Sequence, residues 1–415
     1  MIKTLSVILA AVLCATAAPL PRSEPAGVGL SPERLQRVSA LVKRYIDRGE
    51  IAGAVSLVAR KGKVAHLEAQ GVSDLATHAP MKTDAIFRLA SMTKPITSLA
   101  AMMLLEEGRY LLDDPVSKFL PEYKDMEVAL ANSPNERFAG GYRTVPAASE
   151  ITIRQLLTHT AGLPSGSAGP TMDAYAKLRE FSKPDGTMAR YSEELARLPL
   201  NFQPGAAWEY GPATNIVGRL VEAVSGIALD AFFRERIFQP LAMNDTYFYL
   251  PDAKLPRLAT AYAKKDGKLE KLTAPGPAFR NGSYFAGAGG LAGSAEDYFR
   301  FCQMLLNNGQ LDGVRLAGRK TIESMTTNHI DKIPLWLDTY RGYGFGLGFR
   351  VRMDTGQAAT LGSVGEYGWG GAYGTYFFVD PKEELIGILM FQLIPYAHLN
   401  IRPEFQNAVN QAIVD

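Results

Sequence analysis

Cysteine is scarce in this 415-residue chain, which contains only Cys14 and Cys302. The first lies in an N-terminal segment with the features of a cleaved signal peptide, so the predicted mature protein keeps a single cysteine. An intramolecular disulfide is therefore excluded in that mature protein. Cys302 lies among apolar residues at helical spacing in YFRFCQMLL, without a neighbouring base, and we interpret it as a core residue.

The chain also lacks a large excess of charge of one sign. The formal net charge is +2, and charged residues make up 21% of the chain without a basic stripe. The electrostatic footprint of a nucleic-acid-binding or membrane-surface protein is therefore absent. With 47% hydrophobic residues, the chain has the composition of a globular protein with a sizeable core.

Two common catalytic signatures do not occur. The chain has no Gly-x-Ser-x-Gly stretch, which argues against the nucleophile elbow of an α/β-hydrolase. Its five histidines are scattered and lack the His-x-x-x-His spacing of a metal site. The sequence thus implies neither a metal nor an organic cofactor. We interpret His159, in LLTHTAGL, as a structural residue that bonds a turn and not as a triad base.

The N-terminus combines Lys3, an apolar run over residues 5–13 and the small residues Ala15-Thr16-Ala17. This order is typical of a secretory signal peptide, and the run is too short to cross a bilayer. We expect residues 1–17 to be removed. The remainder, 18–415, is then expected to be periplasmic or secreted, without stable membrane insertion. The sequence does not indicate its oligomeric state.

Strand patterns lie near both ends of the chain, and helical patterns lie between them. Ser31 and Pro32 are the start signals of a helix that Gly49 ends. Hairpins are predicted around the turns at residues 61–63 and 380–382, and a final helix over residues 401–414. This order predicts an α/β fold in which an antiparallel sheet is built from both chain ends and flanked by helices.

We divide the predicted mature domain, residues 18–415, into two parts. The α/β part covers about residues 26–90 and 326–415, and a large, mostly helical inserted region covers about 91–325. A helix in the inserted region starts with the capping-box pattern of Thr152 and Gln155. A substrate cleft is expected where the two parts meet.

The motif that carries chemistry is SMTK, residues 91–94, at the mouth of an apolar helix. Residues three apart share a helix face, so Ser91 and Lys94 can touch. A serine hydroxyl needs a base, and a desolvated lysine near a helix N-terminus can be held neutral and accept the proton. The Ser-x-x-Lys pattern alone is weak evidence for catalysis, because a helix with an N-cap serine and a solvated lysine has the same sequence pattern.

Two later segments strengthen this interpretation. Tyr210 follows a Pro-Gly turn and is predicted at the start of a helix, where its phenol could share a proton with Lys94. Trp369-Gly370-Gly371 leads into an edge-like strand, and its glycines would let a substrate approach backbone N–H groups. Each segment alone also fits a structural role, as a core aromatic or a β-bulge.

In this order and spacing, SMTK, the tyrosine of WEYGP and WGG resemble the motifs of the serine β-lactamase-related superfamily, specifically its family VIII carboxylesterase branch. The resemblance covers nearly the whole predicted mature chain, since LLTHTAGL, PLAMNDTYF and GAGGLAGSAEDYFRF also look like family segments. It implies a serine hydrolase that acts on a small-molecule ester. Ser91 would be the acylated nucleophile, Lys94 its base, and Tyr210 the partner of the lysine in proton transfer.

The resemblance also implies an oxyanion hole. It would consist of the backbone N–H groups of Ser91 and of Ala372, the residue after Trp369-Gly370-Gly371. Penicillin-recognising members usually have Lys-Thr-Gly at that place, so the cation that holds a substrate carboxylate is missing there. The asparagine two positions after their tyrosine is Pro212 here, and we do not assume that Asn215 replaces it.

Both departures favour a less polar ester over a charged antibiotic. A β-lactamase, a D-alanyl-D-alanine carboxypeptidase, an acyltransferase that uses the same site and a non-catalytic binding or sensor module remain alternatives. A rival second motif, Ser133-Pro134-Asn135, lies in a polar stretch without a following apolar helix, so we favour Tyr210. Trp336, Tyr340 and Tyr343 are candidate pocket walls, although such aromatics are as often loop anchors.

Overall fold

The computed structural model describes residues 20–131, 141–166, 169–272, 282–331, 333–335 and 340–415. Three features of the sequence analysis lie outside these ranges, namely the predicted signal peptide, the rival Ser133-Pro134-Asn135 motif and Trp336. Within the described ranges, every helix is too short or too polar to span a bilayer.

The described residues form sixteen strands, of which eight build one sheet. In chain order the strands are β1 (Gly53–Arg60), β2 (Lys63–Asp74), β3 (Ala79–Pro80), β4 (Ile86–Arg88), β5 (Glu127–Ala131), β6 (Tyr142–Pro146), β7 (Tyr262–Lys265), β8 (Lys268–Lys271), β9 (Ala292–Ser294), β10 (Gln310–Leu311), β11 (Val314–Arg315), β12 (Tyr343–Phe345), β13 (Arg350–Arg352), β14 (Tyr367–Gly370), β15 (Tyr376–Asp380) and β16 (Leu385–Met390).

The α-helices of the described residues lie at both ends of the chain and through its middle. They are α1 (Pro32–Asp47), α2 (Thr93–Glu106), α3 (Ile153–Leu157), α4 (Met172–Ala176), α5 (Met188–Ala196), α6 (Ala213–Ser225), α7 (Leu229–Phe233), α8 (Ala295–Leu306), α9 (Arg319–Met325) and α10 (Ile401–Asn410). The predicted first helix is confirmed, and the Ser31 side chain caps it by accepting a hydrogen bond from the Arg34 N–H.

The large sheet joins the two ends of the chain at its centre. Its strand order is β12-β13-β14-β15-β16-β1-β2-β3, and β1 pairs antiparallel with β16, with Val55 opposite Met390. The predicted α/β fold with an antiparallel sheet is confirmed. The edge position expected for the strand after Trp369-Gly370-Gly371 is wrong, because that strand, β15, lies between β14 and β16.

Both faces of the sheet are covered, as the alternation along β1 shows. Ala54 and Val58 face a core that the sheet shares with α1 and α10. Val55 and Leu57 face the larger core that contains α2, α6 and α8. All eight residues of β1 are therefore buried, as expected of a strand between two helical layers.

The inserted region differs from its prediction in detail. It holds short two-stranded pairs, β5 with β6, β7 with β8 and β10 with β11, among its helices, and its strand β9 pairs with β4 of the α/β part. Tyr210 lies in an irregular segment just before Pro212, the N-cap of α6, and not on the helix itself. The capping box at Thr152 and the buried, unpaired state of Cys302 are confirmed. The last helix ends at Asn410, four residues earlier than predicted.

Candidate active site

Ser91 lies in a tight turn between β4 and α2. The turn is a single 3-10 segment, Ala90–Met92, and Ala90 has a φ of 46°. A left-handed backbone costs about 1–3 kcal/mol for a residue with a side chain, and such strain is concentrated at functional sites. Main-chain bonds hold the turn, since the Leu89 N–H donates to the Leu291 carbonyl at 2.9 Å. The serine is thus presented, partly exposed, on a rigid support.

Lys94 lies one turn further along and is almost completely buried. Its Nζ is 3.1 Å from Ser91 Oγ and donates a hydrogen bond to the Ala288 carbonyl at 2.8 Å. Burial lowers the pKa of the Lys94 amine to about 7, because the charged form loses its hydration. A substantial fraction of this amine is neutral near pH 7 and can accept a proton from Ser91.

Asn215 holds the backbone segment that binds the lysine. Its Oδ1 accepts a hydrogen bond of 2.8 Å from the N–H of Ala288, the residue whose carbonyl receives Lys94 Nζ. Asn215 itself is 8% exposed on the first turn of α6. It therefore supports the lysine indirectly, through Ala288. This role has no residue-type signature, because the contact to Lys94 is made by a main-chain oxygen.

Tyr210 completes the group from the other side of the cleft. Trp369 Nε1 donates a hydrogen bond of 2.9 Å to the Tyr210 hydroxyl, and Lys94 Nζ lies 4.5 Å from the centre of the tyrosine ring. Burial raises the pKa of Tyr210 to about 12, and hydrogen bonds from Ser91 and Trp369 oppose that rise. The phenol therefore stays protonated near neutral pH and contacts the Ser91 hydroxyl.

His159 packs beneath this tyrosine and does not reach the serine as a base. The two rings are 4.9 Å apart, and within the described residues His159 Nδ1 has no hydrogen-bond partner. Burial, together with the nearby Lys94, holds the pKa of His159 well below its usual value. Its carbonyl binds the Glu209 N–H at 2.9 Å, so the turn contact expected of His159 is made by its main chain.

The Trp369-Gly370-Gly371 segment runs along the end of β14 directly beside the serine turn. A methyl group on Gly371 would collide with the Leu89 carbonyl, two residues before Ser91. Glycine is therefore required for the two segments to approach this closely. In the part of the chain that the structure describes, neither the Ser91 N–H nor the Ala372 N–H has an acceptor. Both donors are available to a ligand.

These residues line a cleft of about 350 Å³. Its walls are mainly aromatic and aliphatic, from Tyr210, Tyr340, Trp369, Ile394, Pro395 and Tyr396, and the predicted oxyanion segment 370–372 forms one side. Tyr340 is a wall, as predicted, and stacks on Trp369 with ring centres 5.7 Å apart. Tyr343 is not among the lining residues and instead packs on the Arg350 guanidinium.

Arg402, from α10, also lines the cleft and was missed in the sequence analysis. Its guanidinium donates hydrogen bonds to the carbonyl oxygens of Gly371 and Thr375 and to the Tyr396 hydroxyl. A cation is thus present beside the position where Lys-Thr-Gly is missing, but it comes from another element and most of its donors are engaged. Nothing in IRPEF marks this arginine, because its role depends on how α10 packs under β14.

Comparisons with known proteins identify the family to which the chain belongs. The family model described as Beta-lactamase matches residues 38–403. The chain is 35% identical over 372 residues to Protein Rv1367c of Mycobacterium tuberculosis, covering 86% of this chain and 89% of that protein. It is 31% identical over 366 residues to Esterase EstB of Burkholderia gladioli, covering 83% of this chain and 86% of the esterase.

A solved structure has the same fold. It is that of EstCE1, described as a hydrolase with promiscuous acyltransferase activity, which superposes with a TM-score of 0.75 at 29% identity. The match covers 91% of this chain and 98% of that one. The chain therefore belongs to the beta-lactamase family, on the branch that contains esterases, and is a serine hydrolase.

Proposed function

We propose that this serine hydrolase is a carboxylesterase of the family VIII type, which cleaves small apolar esters through an acyl-enzyme on Ser91. The observation that carries the proposal is the 3.1 Å separation of Lys94 Nζ and Ser91 Oγ in a buried site. Burial lowers the pKa of that amine to about 7, so the neutral form is populated under physiological conditions. A neutral amine at this distance is a competent general base.

Acylation begins when Ser91 Oγ attacks the ester carbonyl carbon while its proton passes to Lys94. The π electrons of the carbonyl move to its oxygen and form a tetrahedral oxyanion. The N–H groups of Ser91 and Ala372 donate to that oxygen, and loss of one such donor costs about 10²–10³ in kcat. Neither donor has to give up another hydrogen bond in this step, because both lack an acceptor within the described residues.

The intermediate collapses as the bond between the carbonyl carbon and the alkoxy oxygen breaks. The Tyr210 phenol donates its proton to the leaving oxygen and recovers one from the Lys94 ammonium, so the alcohol departs neutral. The hydrogen bond from Trp369 Nε1 stabilises negative charge that develops on the phenol oxygen. Water then attacks the acyl-enzyme with the same groups acting in reverse.

The cleft suits an uncharged substrate. Its lining is dominated by the rings of Tyr340, Trp369 and Tyr396, whose faces favour aryl and alkyl groups. The Arg402 guanidinium is largely engaged with main-chain carbonyls and a tyrosine hydroxyl. A substrate carboxylate would have to compete with these bonds, which disfavours penicillins and cell-wall peptides.

The Ser91→Ala variant tests the proposal. It should lose at least about a thousandfold in turnover of an aryl ester and should no longer react with a fluorophosphonate probe. Ser98→Ala is a matched control, because Ser98 is buried on the same helix and its hydroxyl has no hydrogen-bond partner in the described residues. Unchanged ester turnover in Ser91→Ala would overturn the proposal.

A substrate panel distinguishes the esterase from its alternatives. Aryl esters of rising acyl length should be cleaved at least a hundredfold faster, in kcat/KM, than a chromogenic cephalosporin. The reverse order would favour a β-lactamase. EstCE1 is described as having promiscuous acyltransferase activity, so product analysis with an added alcohol also measures how far this acyl-enzyme transfers its acyl group to an acceptor other than water.

We also propose that the protein is exported, from the N-terminal Lys3, the apolar run over residues 5–13 and the Ala15-Thr16-Ala17 sequence. Expression of the full chain followed by cell fractionation should yield a processed protein outside the cytoplasm whose N-terminal residue is Ala18. A cytoplasmic product with intact residues 1–17 would contradict export without affecting the proposed chemistry.

A further inference from the structure

Arg402, the second residue of α10, binds the turn that follows β14. Its Nη2 donates hydrogen bonds to the carbonyl oxygens of Gly371 and Thr375, the second of these 2.6 Å long. Its Nε lies 3.4 Å from the Gly374 carbonyl oxygen, and its Nη1 donates to the Tyr396 hydroxyl. One planar guanidinium thus holds three carbonyls of a single turn.

The carbonyl of Gly371 belongs to the same peptide unit as the N–H of Ala372. In a trans peptide these two groups point in opposite directions within one plane. The Gly371 oxygen accepts hydrogen bonds both from Arg402 and from the Gly374 N–H, the latter at 3.0 Å. The Ala372 N–H is therefore directed away from the guanidinium, and Ala372 lines the cleft together with Ser91.

The surroundings of this side chain fit a planar cation. A methyl group on Gly370 would lie 2.7 Å from a guanidinium nitrogen of Arg402, so the strand passes directly over the group. The rings nearest the charge are phenols, with the Arg402 carbon Cζ 3.8 Å from the ring centre of Tyr396 and 5.7 Å from that of Tyr376. A lysine could not reproduce the fork, because an ammonium is a compact point charge.

We propose that Arg402 is a positioning residue of the oxyanion hole, which fixes the Ala372 N–H against the reacting carbonyl by binding the Gly371 carbonyl oxygen. This inference rests on the proposed acyl-enzyme on Ser91 and adds to it a residue that touches neither the serine nor the lysine. Its charge also lies close enough to Tyr210 to favour negative charge on the phenol oxygen.

The Arg402→Lys and Arg402→Met variants test the proposal with an aryl ester and its thiono analogue. Sulfur accepts hydrogen bonds more weakly than oxygen, so the thiono ester draws less on the oxyanion hole. The kcat for the oxygen ester should fall about 10- to 100-fold, and KM should change by less than about threefold. The reason is that a misplaced Ala372 N–H weakens the hydrogen bond to the oxyanion of the transition state more than it weakens substrate binding. The thiono ester should lose less than about threefold, so the ratio of the two rates falls.

A structural control comes from the same helix. Gln406 is 1% exposed, is not among the cleft-lining residues, and binds Glu366 and the Tyr376 hydroxyl. Gln406→Met should lower the melting temperature without changing the ratio of oxygen-ester to thiono-ester rates. If neither Arg402 variant folds, Tyr396→Phe removes one partner of the guanidinium and should lower that ratio by about two- to fivefold, in proportion to a single weakened hydrogen bond.

Each outcome decides the proposal. A folded Arg402→Lys protein with an unchanged ratio, or with equal losses for both esters, would overturn the positioning role. An unchanged ratio in Tyr396→Phe would do the same if the arginine variants do not fold. The proposed function stays intact in these cases as long as Ser91→Ala is inactive, and it fails separately if Ser91→Ala still cleaves the ester.

Discussion

Replacing Lys94 by methionine should abolish ester hydrolysis and at the same time stabilise the folded protein. Lys94 is 4% exposed, and burial lowers the pKa of its amine from the usual 10.5 to about 7. The side chain thus occupies a site that disfavours its charged form. Methionine fills a similar volume without a charge, so the substitution removes a cost that the fold bears for the reaction.

The size and the sign of the effect follow from the two pKa values. They differ by about 3.5, and each pKa unit corresponds to about 1.4 kcal/mol, so burial of the amine costs up to about 5 kcal/mol. The full cost applies below pH 7, where the amine is protonated in both the folded and the unfolded protein. It disappears above pH 10.5, where the amine is neutral in both. Loss of the bonds to Ser91 Oγ and Ala288 offsets about 1–2 kcal/mol.

We therefore expect Lys94→Met to gain about 3 kcal/mol in the free energy of unfolding at pH 7. The gain should fall by about 1.4 kcal/mol per pH unit and reach zero at about pH 9.5, where the remaining cost of burial equals the contribution of the lost bonds. Urea unfolding followed by intrinsic fluorescence at several pH values measures this. Lys82→Met, a change at an exposed lysine, is the control and should shift the free energy by less than about 0.5 kcal/mol. A Lys94→Met protein that is less stable at pH 7, or whose gain grows with pH, would refute the reasoning.

The kcat/KM of the wild-type protein for an ester should rise with pH through about 7, because Lys94 must lose its proton before it can accept one from Ser91. A flat pH profile of kcat/KM from pH 5 to 9 would contradict this. Gly371→Ala should lose about a hundredfold or more in kcat, because the added methyl meets the Leu89 carbonyl and displaces the oxyanion segment. Gly356→Ala is the matched control, because an added methyl at Gly356 meets fewer and more distant atoms than at Gly371. Its steady-state kcat should equal that of the wild-type protein. Asn215→Ala should lower kcat about tenfold, because Ala288 loses the hydrogen bond that holds it. Water that then reaches Lys94 should raise the pKa of its amine, so the acidic limb of the pH–rate profile should move to higher pH. Asn215→Asp keeps the accepting oxygen but adds a carboxylate that favours the charged form of Lys94, so it should recover activity only at higher pH, which steady-state pH profiles of both variants will check.

The pairing of Ser91 with Lys94 could be predicted from the sequence because the contact is local. The two residues are three positions apart, and helical geometry brings such residues to one face. The same holds for the cap at Ser31 and for the hairpin of β1 and β2, which depend on neighbouring residues. In these places, short-range sequence signals and the structure agree.

The remainder of the site depends on contacts between distant segments. The bond from Trp369 to Tyr210 spans 159 positions, and the bond from Arg402 to Gly371 joins a helix to a strand end. Ala288 acts through its main chain, so no letter of the sequence marks it. Resemblance to a family identified Tyr210 and the glycines, but Arg402 and Ala288 required coordinates.

The pairing of β1 with β16 makes the chemistry of the protein a late event in its biosynthesis. The strand that starts at Gly53 pairs on one side with β2 and on the other with β16, more than three hundred residues away, and such non-local pairing is slow to form. The ribosome releases the nucleophile and its amine well before it releases Ala372. On the proposed mechanism, a growing polypeptide carries Ser91 before its second oxyanion donor, and hydrolysis requires that the last strands have joined the first.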